Sequence, residues 1–405
     1  MGKLIILIVI ILGAIALAQL VRVYELSSKM RKSGEHEISN KDNHINGLLM
    51  FVFMILTFLG FIYLMLKYGW TGRGPAASTQ GVETDWLLNL NFIIILIAYF
   101  ITNFLLFYFS YKYVRKPGVK AYFYPHNNKL EMIWTIVPAI VLAVIIILGL
   151  KSWTKITAPA ESDAIRIELF AKQYAWTARY AGLDNELGKY DYKLTADNNP
   201  LALITSNTID SSIAVMSKEI KSLTELLNNR DTVLSDSAIV KNKEILSVKE
   251  RLFRLVTQLK ENHNQKDDAA VWDDIIQEDT LFLCKGQNYE FNLRARDVLH
   301  SAYFPHFRIQ MNAVPGLTTR MKLTPNMTTE EMRVKKNNPN FHFILMCNKI
   351  CGGAHYKMKM IVVVKDKAEY KKWLAKKYNE TFKKKYFPAA EEIAKPKEII
   401  NKPLI

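Results

Sequence analysis

Hydrophobic residues along this chain fall into two regimes. Up to about residue 150 they form long unbroken runs, Leu4 to Leu20, Leu48 to Leu66, Trp86 to Phe109 and Met132 to Leu150. Each is near or above the roughly 18 residues that read as a membrane-spanning helix. Beyond Lys151 the runs are short and alternate with polar residues. Ile165 to Phe170 alternates as a half-buried strand does, and Tyr289, Phe291 and Leu293 alternate with Glu290, Asn292 and Arg294. Phe307 to Met311, Thr319 to Leu323, Phe341 to Met346 and Met360 to Val364 also read as strands. Many short strands after a membrane hairpin predict an antiparallel β-sandwich or barrel. A third pattern interrupts them. Ile209, Ile213, Met216, Ile220, Leu223 and Leu227 recur every three or four residues, as do Ile245, Val248, Leu252, Leu255 and Leu259. Each set makes one apolar helix face, with Asn228-Asn229-Arg230-Asp231 in the break between them. A helical insertion over about 205–275 is expected, as a hairpin burying its own seam or as a docking arm for another protein.

The mean hydropathy is 0.00, an average that hides this split. Basic residues orient the runs. Arg22, Lys29, Arg31, Lys32 and Lys41 follow the first, and Lys112, Arg115, Lys116, Lys120 and Lys129 follow the third. Both segments belong on the cytoplasmic side. Thr71 to Asp85 and everything after Lys151 then lie outside. Ala16-Leu17-Ala18 resembles a signal-peptidase site, but cleavage there would leave three spans and invert that orientation, so a retained helix is expected. Part of the net charge of +16 comes from Lys371, Lys372, Lys376, Lys377, Lys383, Lys384 and Lys385 in a basic tail, 371–405. An outward-facing domain meets no nucleic acid; lipid headgroups or an acidic partner subunit suit the tail better.

The candidate chemistry lies in Cys347 to Met358, spaced C-x3-C-x3-H-x2-M. Two thiols, an imidazole and a thioether are soft or borderline ligands that favour copper over magnesium or calcium. A single Cys with His and Met would suggest a mononuclear copper site. The second Cys lets two thiolates bridge two ions, which calls for a second imidazole. His300, in Asp297-Val298-Leu299-His300-Ser301, is the best candidate. A strained disulfide, inert buried thiols and a zinc site are the competing readings of the loop. Cys284 ends an apolar run and reads as a buried strand thiol.

Together, Asp297 to Ser301, Ala313-Val314-Pro315-Gly316 and Cys347 to Met358 resemble subunit II of haem-copper cytochrome c oxidase, from about Trp86 to Trp373 with a large insertion. The resemblance implies an α+β membrane protein. N-terminal transmembrane helices would precede an outer cupredoxin-like Greek-key β-barrel carrying the helical hairpin. It divides the chain into two extra helices (1–67), a membrane hairpin (86–152) and a copper domain (160–370). It also implies a binuclear copper centre, CuA. Cys347 and Cys351 would bridge both ions, His300 and His355 would each ligate one, Met358 would be a weak axial ligand, and the Lys349 backbone carbonyl would serve the other ion. The family usually has Glu where Lys349 stands, and its carboxylate helps hold magnesium at the boundary with subunit I. A protonated lysine cannot do that, so a standard magnesium site is not expected. Asn312 and Leu317 also depart from the usual Asp and Arg.

Lys172-Gln173-Tyr174-Ala175-Trp176-Thr177 resembles the aromatic segment that receives electrons from cytochrome c, with Tyr174 at the usual first Trp and Trp176 at the second. The resemblance implies electron entry at Tyr174, or at Trp176 in its place, with aromatic packing beneath the copper loop as the competing role for Trp176. Asp184, Glu186 and Asp191 could steer a basic donor. Glu131 matches the residue at the mouth of the proton channel into subunit I, and a carboxylate also suits a helix N-terminus electrostatically. His36, His44, His126 and His263 fall in polar loops; His306 and His342 are not expected to ligate. The implied function is electron transfer from a cytochrome c-type donor through CuA to haem in subunit I, where haems and CuB reduce oxygen to water with proton pumping. The implied partners are subunit I, other oxidase subunits, the donor, membrane lipids and, through the insertion, a larger respiratory assembly. The implied location is a bacterial inner membrane with the copper domain on its periplasmic face. A membrane-anchored copper-binding or assembly protein is the alternative from another class.

Overall fold

The computed structural model describes residues 2–30, 39–69, 73–229 and 235–387. The apolar runs are helical: α1 (Gly2–Met30), α2 (Asn40–Leu64), α3 (Thr79–Lys112) and α4 (Asn128–Thr157). A π-helical turn, Met65–Gly69, extends α2. Among the described residues, Asn40–Gly69, Thr79–Lys112 and Asn128–Thr157 are long and apolar enough to cross a membrane. The first predicted span lies within α1, whose side chains are described over residues 11–27 and at residue 30. The contacts divide the chain into two units, residues 1–73 with 90–139, and residues 74–89 with 140–405. Within the first unit, Phe58 packs edge-on to Phe100 at 4.9 Å and Phe61 lies 5.1 Å from Tyr99, which zips α2 to α3. A methyl group on Gly47 would lie 2.8 Å from Val114 Cγ1, so the small residue permits this approach.

The second unit holds two five-stranded sheets. One runs β3 (Ile275–Glu278), β2 (Ala175–Tyr180), β1 (Ile165–Lys172), β5 (Tyr289–Ala295), β8 (Thr319–Leu323). The other runs β4 (Thr280–Cys284), β10 (Lys359–Lys365), β9 (Phe343–Cys347), β6 (His300–Phe304), β7 (Ile309–Ala313). β1 with β5 and β10 with β4 are parallel; the other pairs are antiparallel. This is the β-sandwich that the alternation predicts, except that two of its pairings are parallel where an antiparallel sandwich or barrel is expected. Its core is built by alternation: Phe291 and Leu293 from β5, Ala302 and Phe304 from β6, Phe343 and Leu345 from β9 are all buried. Burying each large side chain contributes about 1.5–3 kcal/mol. The same alternation carries Cys347 and His300 inward, because Cys347 pairs with Ala302, two residues from His300. Cys284 ends β4 as a buried thiol.

The insertion forms α5 (Ser206–Asn228) and α6 (Asp236–Asn262). Ile209 and Val256 are buried at its base with Leu194, and Ile213, Met216 and Leu259 pack against them. A capping box at Thr205 and Thr208 starts α5. A short turn, α7 (Ala269–Trp272), returns the chain to β3, and α8 (Thr329–Lys336) precedes β9. The packed part then continues past residue 370. The boundary drawn at 371 falls inside α9 (Lys367–Lys377), and α10 (Phe382–Tyr386) buries Phe382 against Trp272. Lysines mask these helices in the sequence because they cover the solvent sides of elements anchored by one or two apolar residues. Residues 388–405 of the predicted tail lie outside the described residues.

One ionic network crosses the first sheet. Arg179 bonds Glu168 and, at 2.7 Å, Asp274, while Arg294 bonds the other oxygen of Glu168. Burial opposes ionisation of Glu168, but the two guanidinium groups outweigh it and hold that carboxyl below its ordinary value. Asp274 has one guanidinium partner and is lifted by burial to about 7.

Candidate metal centre

The sulfur and nitrogen atoms singled out in the sequence converge at one end of the sandwich. Cys347 closes β9, and its N–H donates to the Met358 carbonyl at 3.0 Å, which ties off the loop between β9 and β10. Inside that loop Cys347 Sγ lies 4.0 Å from Cys351 Sγ and 3.2 Å from the Lys349 carbonyl oxygen. Cys351 Sγ lies 3.4 Å from His355 Nδ1 and 3.8 Å from Met358 Sδ. From β6, His300 Nδ1 reaches to 3.8 Å from Cys347 Sγ. The ligand atoms of His300, Cys347 and Cys351 all lie within 4.8 Å of one another. His300, Cys347, Cys351 and Met358 are buried, and His355 is half-buried. The cysteines are free thiols, so the disulfide reading fails on geometry: their sulfurs stand about twice a bonded distance apart.

Two residues without an assigned sequence role hold this arrangement. Asp297 accepts from the N–H groups of Gln173 and Val298 and faces His300 Nε2, each at 2.8 Å. Burial works against the carboxylate, but these donors outweigh it and hold Asp297 below the usual range. With Nε2–H donated to Asp297, His300 presents the Nδ1 lone pair to the sulfurs, the carboxylate–imidazole pairing typical of metal ligands. The Gln173 side chain donates to the Cys351 carbonyl. The signal for Asp297 in the sequence is its place three residues before His300.

The donor set suits copper. Two thiols, two imidazoles, a thioether and a carbonyl converge, and among the described residues no carboxylate joins the cluster. Such a set is soft, and zinc is its main competitor. Burial and then the neighbouring Cys347 lift the Cys351 thiol to about 11, so metal uptake must displace a proton.

The aromatic segment divides into two roles. Trp176 is buried, edge-on to His300 at 6.3 Å. Its indole N–H has no hydrogen-bond partner among the described residues. Tyr174 is 36 % exposed and lies across the loop: a methyl group on Gly352, at φ +139°, would sit 2.4 Å from its hydroxyl oxygen. Only glycine fits there. Asp184 and Glu186 follow the far end of β2, about 20 Å along the hairpin from Tyr174 at the usual rise per residue, and Asp191 is paired with Lys193 at 2.7 Å. His306 meets Phe341 and Phe343 edge-to-face, where burial lowers it to about 4. His342 is exposed beside Arg333. In the first unit Glu131 sits in the first turn of α4 and accepts from the Asn127 N–H at 3.2 Å.

The chain thus carries helices long and apolar enough to cross a membrane and a two-sheet β-sandwich with a buried cluster of thiols and imidazole at one end. Comparison narrows this further. Residues 69–152 match the family described as cytochrome C oxidase subunit II, transmembrane domain. The alternative cytochrome c oxidase subunit 2 of Bradyrhizobium diazoefficiens is 26 % identical over 313 residues, covering 77 % of this chain and 85 % of that protein. Cytochrome c oxidase subunit 2 of Corynebacterium glutamicum is 22 % identical over 316 residues, 76 % of each chain. The solved periplasmic domain of subunit II of cytochrome oxidase from Bradyrhizobium japonicum shares 12 % identity over 55 % of this chain and 98 % of that one, at a TM-score of 0.27. The chain is thus similar over most of its length to cytochrome c oxidase subunit 2 proteins, and its residues 69–152 match the transmembrane domain of that family.

Proposed function

We propose that this chain is the electron-accepting subunit of a haem-copper oxidase, with a binuclear copper centre held by His300, Cys347, Cys351, His355, Met358 and the Lys349 carbonyl. The observation that carries the reading is the convergence of these ligand atoms at one buried end of the sandwich, with Cys347 and Cys351 Sγ 4.0 Å apart and one imidazole beside each sulfur. A copper pair held by these residues would supply one-electron chemistry between a cytochrome c-type donor and haem in subunit I. The protein supplies the rest. Asp297 fixes the His300 tautomer, Gln173 fixes the Cys351 carbonyl, and the buried setting keeps water from the thiolates. Tyr174 covers the loop on its exposed side and is the residue that meets the donor; Trp176 packs beneath.

Subunit I, with its haems and CuB, would carry out oxygen reduction and proton pumping. Glu131, at the N-terminus of α4, would stand at the mouth of the proton channel, while its bond to the Asn127 N–H also caps the helix. Basic loops after α1 and α3 support a bacterial inner-membrane location with the copper domain on the periplasmic face. The exposed Lys349 ammonium is a poor magnesium ligand, and we infer no standard magnesium site. The carrier alternative asks for accessible thiols, whereas Cys347 and Cys351 are 6 % and 4 % exposed. Rapid-scan absorbance of the assembled enzyme during turnover tests the reading. A copper band that bleaches and recovers within each turnover supports electron transfer. A band that stays constant while oxygen is consumed contradicts it.

A further inference from the structure

The exposed rim of the copper loop is apolar at its centre and basic around it. Ile350 is 90 % exposed and Tyr356 75 %, with Tyr174, Leu299 and Leu317 also open. Such a cluster of large apolar side chains, rimmed by polar ones, marks an interaction surface. Lys357 on the loop and Lys359 at the start of β10 stand exposed, and no acidic residue occurs anywhere from 332 to 365. Lys172, two residues before Tyr174, shares a cavity of about 370 Å³ with Arg296, Asp197, Glu278 and Tyr386. Tyr386 belongs to α10, which adds Lys383, Lys384 and Lys385.

The opposing carboxylates are fewer. Asp197 and Glu278 face the cavity, and Asp279 borders β10 through its carbonyl bond to the Ile361 N–H. Asp297 is already engaged by Gln173, Val298 and His300. Asp184 and Glu186 sit at the other end of the β1–β2 hairpin.

Resting on the electron-transfer reading above, we propose that the donor docking over Tyr174 is an acidic redox protein, with carboxylates ringing an apolar contact patch. The sign of the field sets the partner. Complementary charge steers encounter and fixes register, while the apolar centre supplies contact at the point of transfer. A basic donor would meet Lys357 and Lys359, with no carboxylate in the same stretch of chain.

The test uses the assembled, copper-loaded oxidase in detergent. Second-order rates of electron transfer are measured for an acidic and a basic monohaem cytochrome c of matched potential, at low and high salt, with a neutral small-molecule reductant run in parallel. The acidic donor should be faster at low ionic strength, and its rate should fall about tenfold as salt screens the rim. Lys172→Glu and Lys357→Glu should each slow the acidic donor and speed the basic one, with the copper spectrum of each variant reporting the integrity of the site. A basic donor that is faster and salt-sensitive, or two donors with no salt dependence, overturns the inference alone. Failure of the neutral reductant to drive oxygen uptake overturns the electron-transfer reading beneath it.

Discussion

Replacing Asp297 separates ligand orientation from ligand identity. Asp297 is no ligand, yet it meets His300 Nε2, the Gln173 N–H and the Val298 N–H, each at 2.8 Å. In Asp297→Ala the buried imidazole loses its partner and is free to rotate or to place its proton on Nδ1, the atom that faces Cys347. Removing such an outer partner typically costs 10–100-fold in metal affinity, about 1.4–2.8 kcal/mol at 1.4 kcal/mol per tenfold. Asp297→Asn keeps one acceptor oxygen for His300 and Val298 and loses only the oxygen that serves Gln173, so its loss should be under half that of the alanine. Copper competition against a chelator of known affinity, on the full chain in detergent, reads both values. An alanine variant within about twofold of the native protein, under about 0.4 kcal/mol, would refute the proposed orienting role.

Three further outcomes follow from the same structure. The Cys351 thiol, lifted by burial and by Cys347 to about 11, is protonated at neutral pH, so copper affinity should rise about tenfold per pH unit between pH 6 and 8 for that thiol; a pH-independent titration contradicts this. Asp274, lifted by burial from 3.8 to about 7, holds an extra proton in the folded state between those values. Its contribution to stability therefore falls as pH rises from about 4 to about 7 and is flat above that. The melting midpoint of the native protein should drop between pH 5 and 8, and Asp274→Asn should drop less; equal drops would show that Asp274 is not the source. Phe304→Ala, at a fully buried site 5.6 Å from Phe291 and 6.1 Å from Phe307, should cost about 3–5 kcal/mol in chemical denaturation, and a cost below 1 kcal/mol would mean that the sandwich core is not packed as described.

What could be read from the sequence was local. The copper loop is legible because all but one of the side-chain ligands fall within twelve residues, and the insertion because its apolar period persists over both helices. β2 was not legible: Ala-Trp-Thr-Ala-Arg-Tyr buries five consecutive residues, including Thr177 and Arg179, so no alternation marks it. Arg179 is buried because Glu168 and Asp274, 11 and 95 residues away, receive it. The roles of Gln173 and Asp297 depend on contacts across 178 and 124 residues. The steering role given to Asp184 and Glu186 failed for a related reason. Nearness to Tyr174 in sequence became a separation of a full strand, because β2 runs away from the loop.

The central claim is that this one chain holds two coupled copper ions. Metal stoichiometry and electron paramagnetic resonance on the purified full chain, loaded with copper in detergent, test it most directly. Two coppers per chain, with one unpaired electron split equally by both nuclei, is the predicted result. One copper per chain, a spectrum localised on a single nucleus, or zinc retained in its place would contradict the account and return the loop to a carrier or structural metal site.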